Sequence, residues 1–297
     1  MENETNKELI KEVNSVSYAA LMHAKELVKN GARIMDVAKS IEEFIKEKGY
    51  GFAFPVNISL DTEAAHDTPE IDDARIFNGN IVKIDLGAEK EGMLGDCALT
   101  IDLSGSNGNL LDASQDALKN AIASIKAGVK AREVGKVIEE TIKKAGFSPI
   151  YNLGGHQIKK NELHAGLFLP NYDNGDETVL EEGMVIAIEP FATNGKGRIT
   201  EGDYCQIYSF LNERKVRSAT GRAVMKKIKE NYPSNPFAAR WLEDMAGKFD
   251  IQVSLQELYV AGAIERYPVL VEVSKGLVAQ FEASVMVEKD GCTVLTK

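Results

Sequence analysis

Five side chains in this sequence are costly to bury unless a cation sits among them: Asp85, Asp96, His156, Glu189 and Glu282. Asp85 and Asp96 lie in IVKIDLGAEKEGMLGDCALTIDL (81–103), where two alternating apolar runs flank Glu89-Lys90-Glu91-Gly92, a hairpin signal. With Lys90 and Glu91 at the tip, Asp85 stands directly across from Asp96. Opposed residues bring their Cβ atoms to roughly 4.5–5.5 Å, so two carboxylates there repel, and burial raises at least one pKa. A divalent cation between them removes the repulsion. His156 follows a Gly-rich approach, Asn152-Leu153-Gly154-Gly155. Glu189 sits at a strand end before Pro190, which stops further pairing. Glu282 lies in QFEASV (280–285), inside a late and otherwise apolar strand. Singly, each group fits a core histidine or a solvent-facing carboxylate. Together, four carboxylates and an imidazole form a hard, oxygen-rich set, too large for one ion and suited to two divalent first-row metals. Such a pair activates water and polarises a carbonyl, which is hydrolytic chemistry.

The elements that must position these groups are duplicated. Residues 31–50 (GARIMDVAKSIEEFIKEKGY) match residues 128–147 (GVKAREVGKVIEETIKKAGF) without a gap, with identities at Gly31, Val37, Lys39, Ile41, Glu42, Glu43, Ile45, Lys46 and Gly49. Both copies have apolar residues at helical spacing and end in Gly, which tolerates a left-handed stop. Residues 79–85 (GNIVKID) likewise resemble residues 183–189 (GMVIAIE), each a short β-branched run ending on a carboxylate. Two related halves packed face to face would bring Asp85 and Glu189 together near a pseudo-axis, where ligand sites often form. The spacing predicts helices over 6–29, 34–48, 111–126 and 132–145, and strands over 54–60, 81–88, 93–102, 184–191, 276–288 and 292–296. A further helical stretch, about 217–265, is broken at Pro233, Pro236, Gly247 and Gly262; it lacks a counterpart and reads as an insertion.

Composition narrows the setting. A formal charge of −10 argues against non-specific nucleic-acid binding by the whole surface, and no specific DNA partner is expected. No apolar run reaches the roughly 20 residues of a membrane span, and no apolar segment follows MENETNKELIKEV as a secretory signal would require. Cys97, Cys205 and Cys292 are odd in number and widely spaced, which fits a reducing cytoplasm.

Several motifs carry a resemblance. FPVNISLDTEAAHDTP (54–69), VKIDLGAEKEGMLGDCA (82–98), NLGGHQIKKNELHAG (152–166), IAIEPFA (186–192) and QFEASVMVEKDG (280–291) are similar to those of the methionine aminopeptidases. Their order and spacing span nearly the whole chain. The resemblance implies the α/β (α+β) pita-bread fold with a pseudo-two-fold duplication, as one catalytic domain over 1–297. The insertion, at approximately 210–270, resembles that of type 2 enzymes, and the lack of an extension before the first helix resembles the compact archaeal form. The resemblance also implies roles. Asp96 and Glu282 would bridge two divalent ions (Co, Mn, Fe or Zn), Asp85 would complete one, and His156 with Glu189 the other. Activated water would attack the carbonyl after the first residue, with Glu189 as general base. His66 and His164 would bind the scissile amide and stabilise the oxyanion, a task suited to neutral imidazole. Phe54, Leu163, Tyr267 and Leu270 are candidates for an apolar pocket taking the thioether side chain, and the second substrate residue should be small. Substrates would be peptides and nascent chains beginning with Met. Cys97, Asp67 and Ala283-Ser284 stand where the family usually has Thr, Tyr and His-Thr.

Two other readings share the scaffold. Xaa-Pro aminopeptidases and dipeptidases use the same ligand set but usually carry an extra N-terminal domain, for which the 65 residues before His66 are too few. Non-catalytic relatives bind ribosomes or RNA, and Lys215, Arg217, Arg222, Lys226, Lys227 and Lys229 form a basic helical segment (215–229) that could contact the ribosome.

Overall fold

A computed structural model describes residues 2–297, so residue 1 of the single domain expected over 1–297 lies outside the described residues. The four helices outside the insertion are α1 (Glu2–Leu27), α2 (Ile34–Glu47), α3 (Gly108–Ser124) and α4 (Ala131–Lys144). They cover one face of an antiparallel eight-stranded sheet. Its order is Phe168–Pro170, Gly154–Ile158, Val185–Ile188, Glu282–Glu288, Cys97–Asp102, Ile81–Leu86, Asn57–Leu60, with Gly291–Val294 beside Glu282–Glu288. Alternation decides what faces the helices. Val82, Ile84, Leu86, Cys97 and Leu99 pack with α1 and α2, whereas Ile186, Ile188, Val285 and Val287 pack with α3 and α4.

The duplication is real in three dimensions. α2 and α4 start from matching backbone bonds, Ile34 N to Arg75 O at 3.1 Å and Ala131 N to Thr178 O at 2.8 Å. Both end at a left-handed glycine, Gly49 (φ 83°) and Gly146 (φ 89°), a stop that a β-carbon would strain. Each half presents its inner strand, Ile81–Leu86 or Val185–Ile188, between an outer strand and one of the two strands that meet at the centre.

The insertion is less helical than its composition suggests. Helices α5 (Ala219–Asn231) and α6 (Lys248–Val260) and a 3-10 turn (Ala239–Leu242) do form there, around Val224, Ile228, Leu255 and Leu258. They stand on a long ribbon, Ile199–Phe210 paired with Ile264–Glu272, which no sequence signal predicted. Glu201, Gly202 and Asp203 hide the alternation in one strand, and Pro268 interrupts the other, where it pairs with Cys205 between two register shifts. The ribbon ends against Glu63–Ala65, the residues leading to His66. The basic segment is also shorter as a helix than expected. Ser218 caps α5 by accepting a bond from Gly221 N (2.9 Å), which leaves Lys215 and Arg217 in the preceding loop. Among the described residues no helix is long and apolar enough to cross a membrane.

Candidate active site

The hairpin register differs from the expected one. Lys90 pairs with Met93, so the turn is Glu91-Gly92, both left-handed (φ 54° and 82°), the conformation a two-residue hairpin turn favours. Asp85 therefore lies opposite Ala98, not Asp96. The error is two residues, not one, so Asp96 keeps the same face parity as Ala98 and Asp85.

That parity builds the site. Ala98 pairs with Asp85 on one side and with Glu282 on the other. Ile188 pairs with Ala283, so Glu189, one residue further, continues the register opposite Glu282. One cross-strand row thus reads Asp85, Ala98, Glu282, Glu189. In the adjacent row, Ser284 Oγ donates to Asp96 O (2.8 Å), Ser284 pairs with Ala187, and Ala187 pairs with His156. Asp96 and Glu282 hold the middle, Asp85 one flank, and Glu189 with His156 the other. The intervening Ala98, Ala187 and Ser284 are small and leave space above the sheet. One ligand atom from each of Asp96, His156 and Glu282 lies within 4.8 Å of the others.

Two buried serines fix this arrangement, one from each half. On α3, Ser114 Oγ donates to Pro190 O (2.7 Å) and accepts from Phe281 N (3.0 Å), holding the backbone beside both Glu189 and Glu282. On α1, Ser17 Oγ accepts from Ala88 N (2.9 Å), just past the Asp85 strand. Below the carboxylates, Gln280 Nε2 approaches Asp85, Glu189 and Glu282 oxygens at 3.4–3.5 Å. Sequence reasoning did not single out Gln280. Its signal is its place two residues before Glu282, on the same face.

The electrostatics call for a cation. Burial, then the charge of Asp96, holds Asp85 well above the usual carboxylate range. Burial pushes Asp96 up to about 8. Glu189 and Glu282 are raised by burial first and by their carboxylate neighbours second. The cavity wall carries these four carboxylates and no lysine or arginine, and buried Asp85 Oδ1 lacks a hydrogen-bond partner among the described residues. His156 Nε2 faces Asp96 Oδ2 at 3.4 Å and Glu189 Oε1 at 3.9 Å, while burial lowers its pKa to about 4. The donor set of hard oxygens and neutral imidazole fits divalent metal ions.

The cavity above holds about 430 Å³. His66 and His164 both line it; His164 stands 4.3 Å from His156 between ring centroids, and His66 meets Tyr267 edge-on at 5.7 Å. Burial, then the facing imidazole, lowers both to about 4, so both are neutral at pH 7. Phe54, Leu163 and Tyr267 line the apolar wall as expected. Leu270 does not. It pairs with Ala65 and packs against Phe191 and Val278 behind the wall. Leu270 lies three residues from Tyr267, and strand positions three apart point to opposite faces. Ala65, Phe191, Ile207 and Pro236 also line the cavity and were missed. Ile207 lies on the ribbon at the base of the insertion, whose strands the sequence concealed, and Pro236 lies within the insertion.

Known proteins share this architecture. Residues 8–245 match metallopeptidase family M24. The methionine aminopeptidase of Archaeoglobus fulgidus is 44% identical over 298 residues, covering 100% of both chains. That of Thermococcus kodakarensis is 43% identical over 273 residues, covering 91% of this chain and 92% of its own. Among solved structures, a methionine aminopeptidase from Thermotoga maritima superimposes with a TM-score of 0.71 at 23% identity, over 97% of this chain and 94% of that one.

Proposed function

This chain belongs to metallopeptidase family M24, among the methionine aminopeptidases of the pita-bread fold, and from that premise we propose how its residues release an N-terminal methionine. The carrying observation is the pair of cross-strand rows, with Asp96 and Glu282 central, Asp85 on one flank and His156 with Glu189 on the other. That order suits two divalent ions (Co, Mn, Fe or Zn), which Asp85, Asp96, His156, Glu189 and Glu282 would hold. Bound there, the ions would offset the carboxylate charge, polarise the scissile carbonyl and make water a nucleophile at neutral pH.

The remaining work falls to side chains. Glu189 takes the proton of the attacking water on its carboxylate and passes it to the leaving amine. His66 and His164, both neutral, donate hydrogen bonds to the scissile amide and to the oxygen that gains charge. The methionine side chain fills the apolar wall of Phe54, Leu163, Ile207 and Tyr267, and the next residue, toward the opening, is small. Substrates are Met-initiated peptides and nascent chains in the cytoplasm. Contact with the ribosome through segment 215–229 belongs to the same reading. Lys226, Lys227 and Lys229 have acidic partners in Glu230, Asp244 and Glu213, so exposed Lys215 and Arg217 are its main support.

The test is Met release from Met-Ala-Ser before chelation, after it, and after adding back each metal. Activity should vanish and return to different degrees. Faster turnover of an Xaa-Pro peptide, or full activity without metal, would refute this function.

A further inference from the structure

His66 has a backbone φ of 66°, the left-handed region that a β-carbon disfavours, so its conformation needs outside support. The two residues after it are each held by a different arginine. Asp67, wholly buried, takes a two-point grip from Arg75, Nη1 to Oδ2 at 2.6 Å and Nη2 to Oδ1 at 3.2 Å. Arg75 is itself fixed by Asp73, with Nη2 to Oδ2 at 2.8 Å. Thr68 Oγ1 accepts from Arg240 Nη1 (2.6 Å) and donates to Val56 O (2.7 Å). Arg240 lies in the insertion and is anchored by Glu42 of α2, which also accepts from Trp241 Nε1 (3.0 Å).

We infer that Arg75 and Arg240 are positioning residues for His66, clamping Asp67 and Thr68 so that the imidazole meets the scissile amide in one orientation. Buried ion pairs are a weak source of net stability, while the planar, two-point guanidinium contact fixes direction. Asp67 and Arg75 do this from the loop before the Asp85 strand, and Arg240 makes the insertion part of the catalytic geometry. This inference rests on the amide-binding role given above to His66.

A double-mutant cycle separates positioning from plain stability. His66→Ala, Arg75→Met and the double variant are assayed on Met-Ala-Ser with saturating Mn, after matching bound metal. Arg75→Met should lower kcat about ten-fold or more, the scale of a small misplacement, with KM little changed. In the His66→Ala background the same change should cost less than about two-fold, because the group it positions is gone. Arg240→Met should behave alike. If Arg75→Met folds poorly, Asp67→Asn, which keeps the volume and removes the charge, takes its place in the cycle. Equal losses in both backgrounds, or no loss with His66 present, overturn the inference while leaving the peptidase reading intact. A wild-type rate for His66→Ala overturns the role of His66 and this inference with it.

Discussion

Ser114→Ala puts the coupling between α3 and the backbone beside Glu189 and Glu282 to a quantitative test. Ser114 is fully buried, and its hydroxyl serves Pro190 O at 2.7 Å and Phe281 N at 3.0 Å. Removing one oxygen leaves a carbonyl and an amide unpaired, each costing about 1–3 kcal/mol. The two groups share one small void and relax together, so the cost expected is about 2–3 kcal/mol. At roughly 2–4 °C per kcal/mol for a domain approaching this size, the melting temperature falls by roughly 4–12 °C. Because those two backbone groups adjoin Glu189 and Glu282, metal affinity should fall by about ten-fold, the lower end for outer-shell supports. Differential scanning calorimetry of metal-free protein and a Mn titration read the two effects separately. Ser17→Ala is the internal control: at its site one strand group, Ala88 N, loses its partner, so the loss should be about half. A Ser114→Ala protein that melts within about 1 °C of wild type and binds Mn equally well would refute the reasoning.

Asp85→Asn should lower metal occupancy and turnover on Met-Ala-Ser while circular dichroism stays unchanged, and wild-type kinetics would remove Asp85 from the ligand set. Ile207→Ala widens the apolar wall, so the preference for Met over bulkier first residues should shrink by about 1–3 kcal/mol, read as a ratio of kcat/KM values. Lys83, fully buried with Nζ donating to Asp61 O (3.1 Å) and Val278 O (3.2 Å), is held down to about 7 by burial, against 10.5 for a free lysine. Between those values the unfolded chain binds the extra proton, so this group makes stability rise with pH. Lys83→Met should flatten the rise between pH 6 and 10 by about 4 kcal/mol in urea titrations; an unchanged slope would show that Lys83 does not titrate there.

The amino-acid order alone determined the duplication and most helices, and it pointed to the five candidate ligands and, through resemblance, to His66 and His164; that both histidines are neutral follows from their burial in the fold. The sequence signals are local. The Gly49 and Gly146 stops, the β-branched runs ending on Asp85 and Glu189, and the apolar period of α2 and α4 need no distant partner to be read. Tertiary structure decided the rest. Asp85 faces Ala98 instead of Asp96 because the turn sits one residue later than its composition suggested, and a two-residue register error is invisible to alternation, which preserves the face. Leu270 leaves the pocket, and Ile207 enters it, because a ribbon carrying Gly202 and Pro268 is held by pairing and not by propensity. The left-handed His66 and its two arginines arise only when residues 42, 68, 75 and 240 meet in space. No spacing along the chain encodes a contact whose energy appears only once the chain has closed.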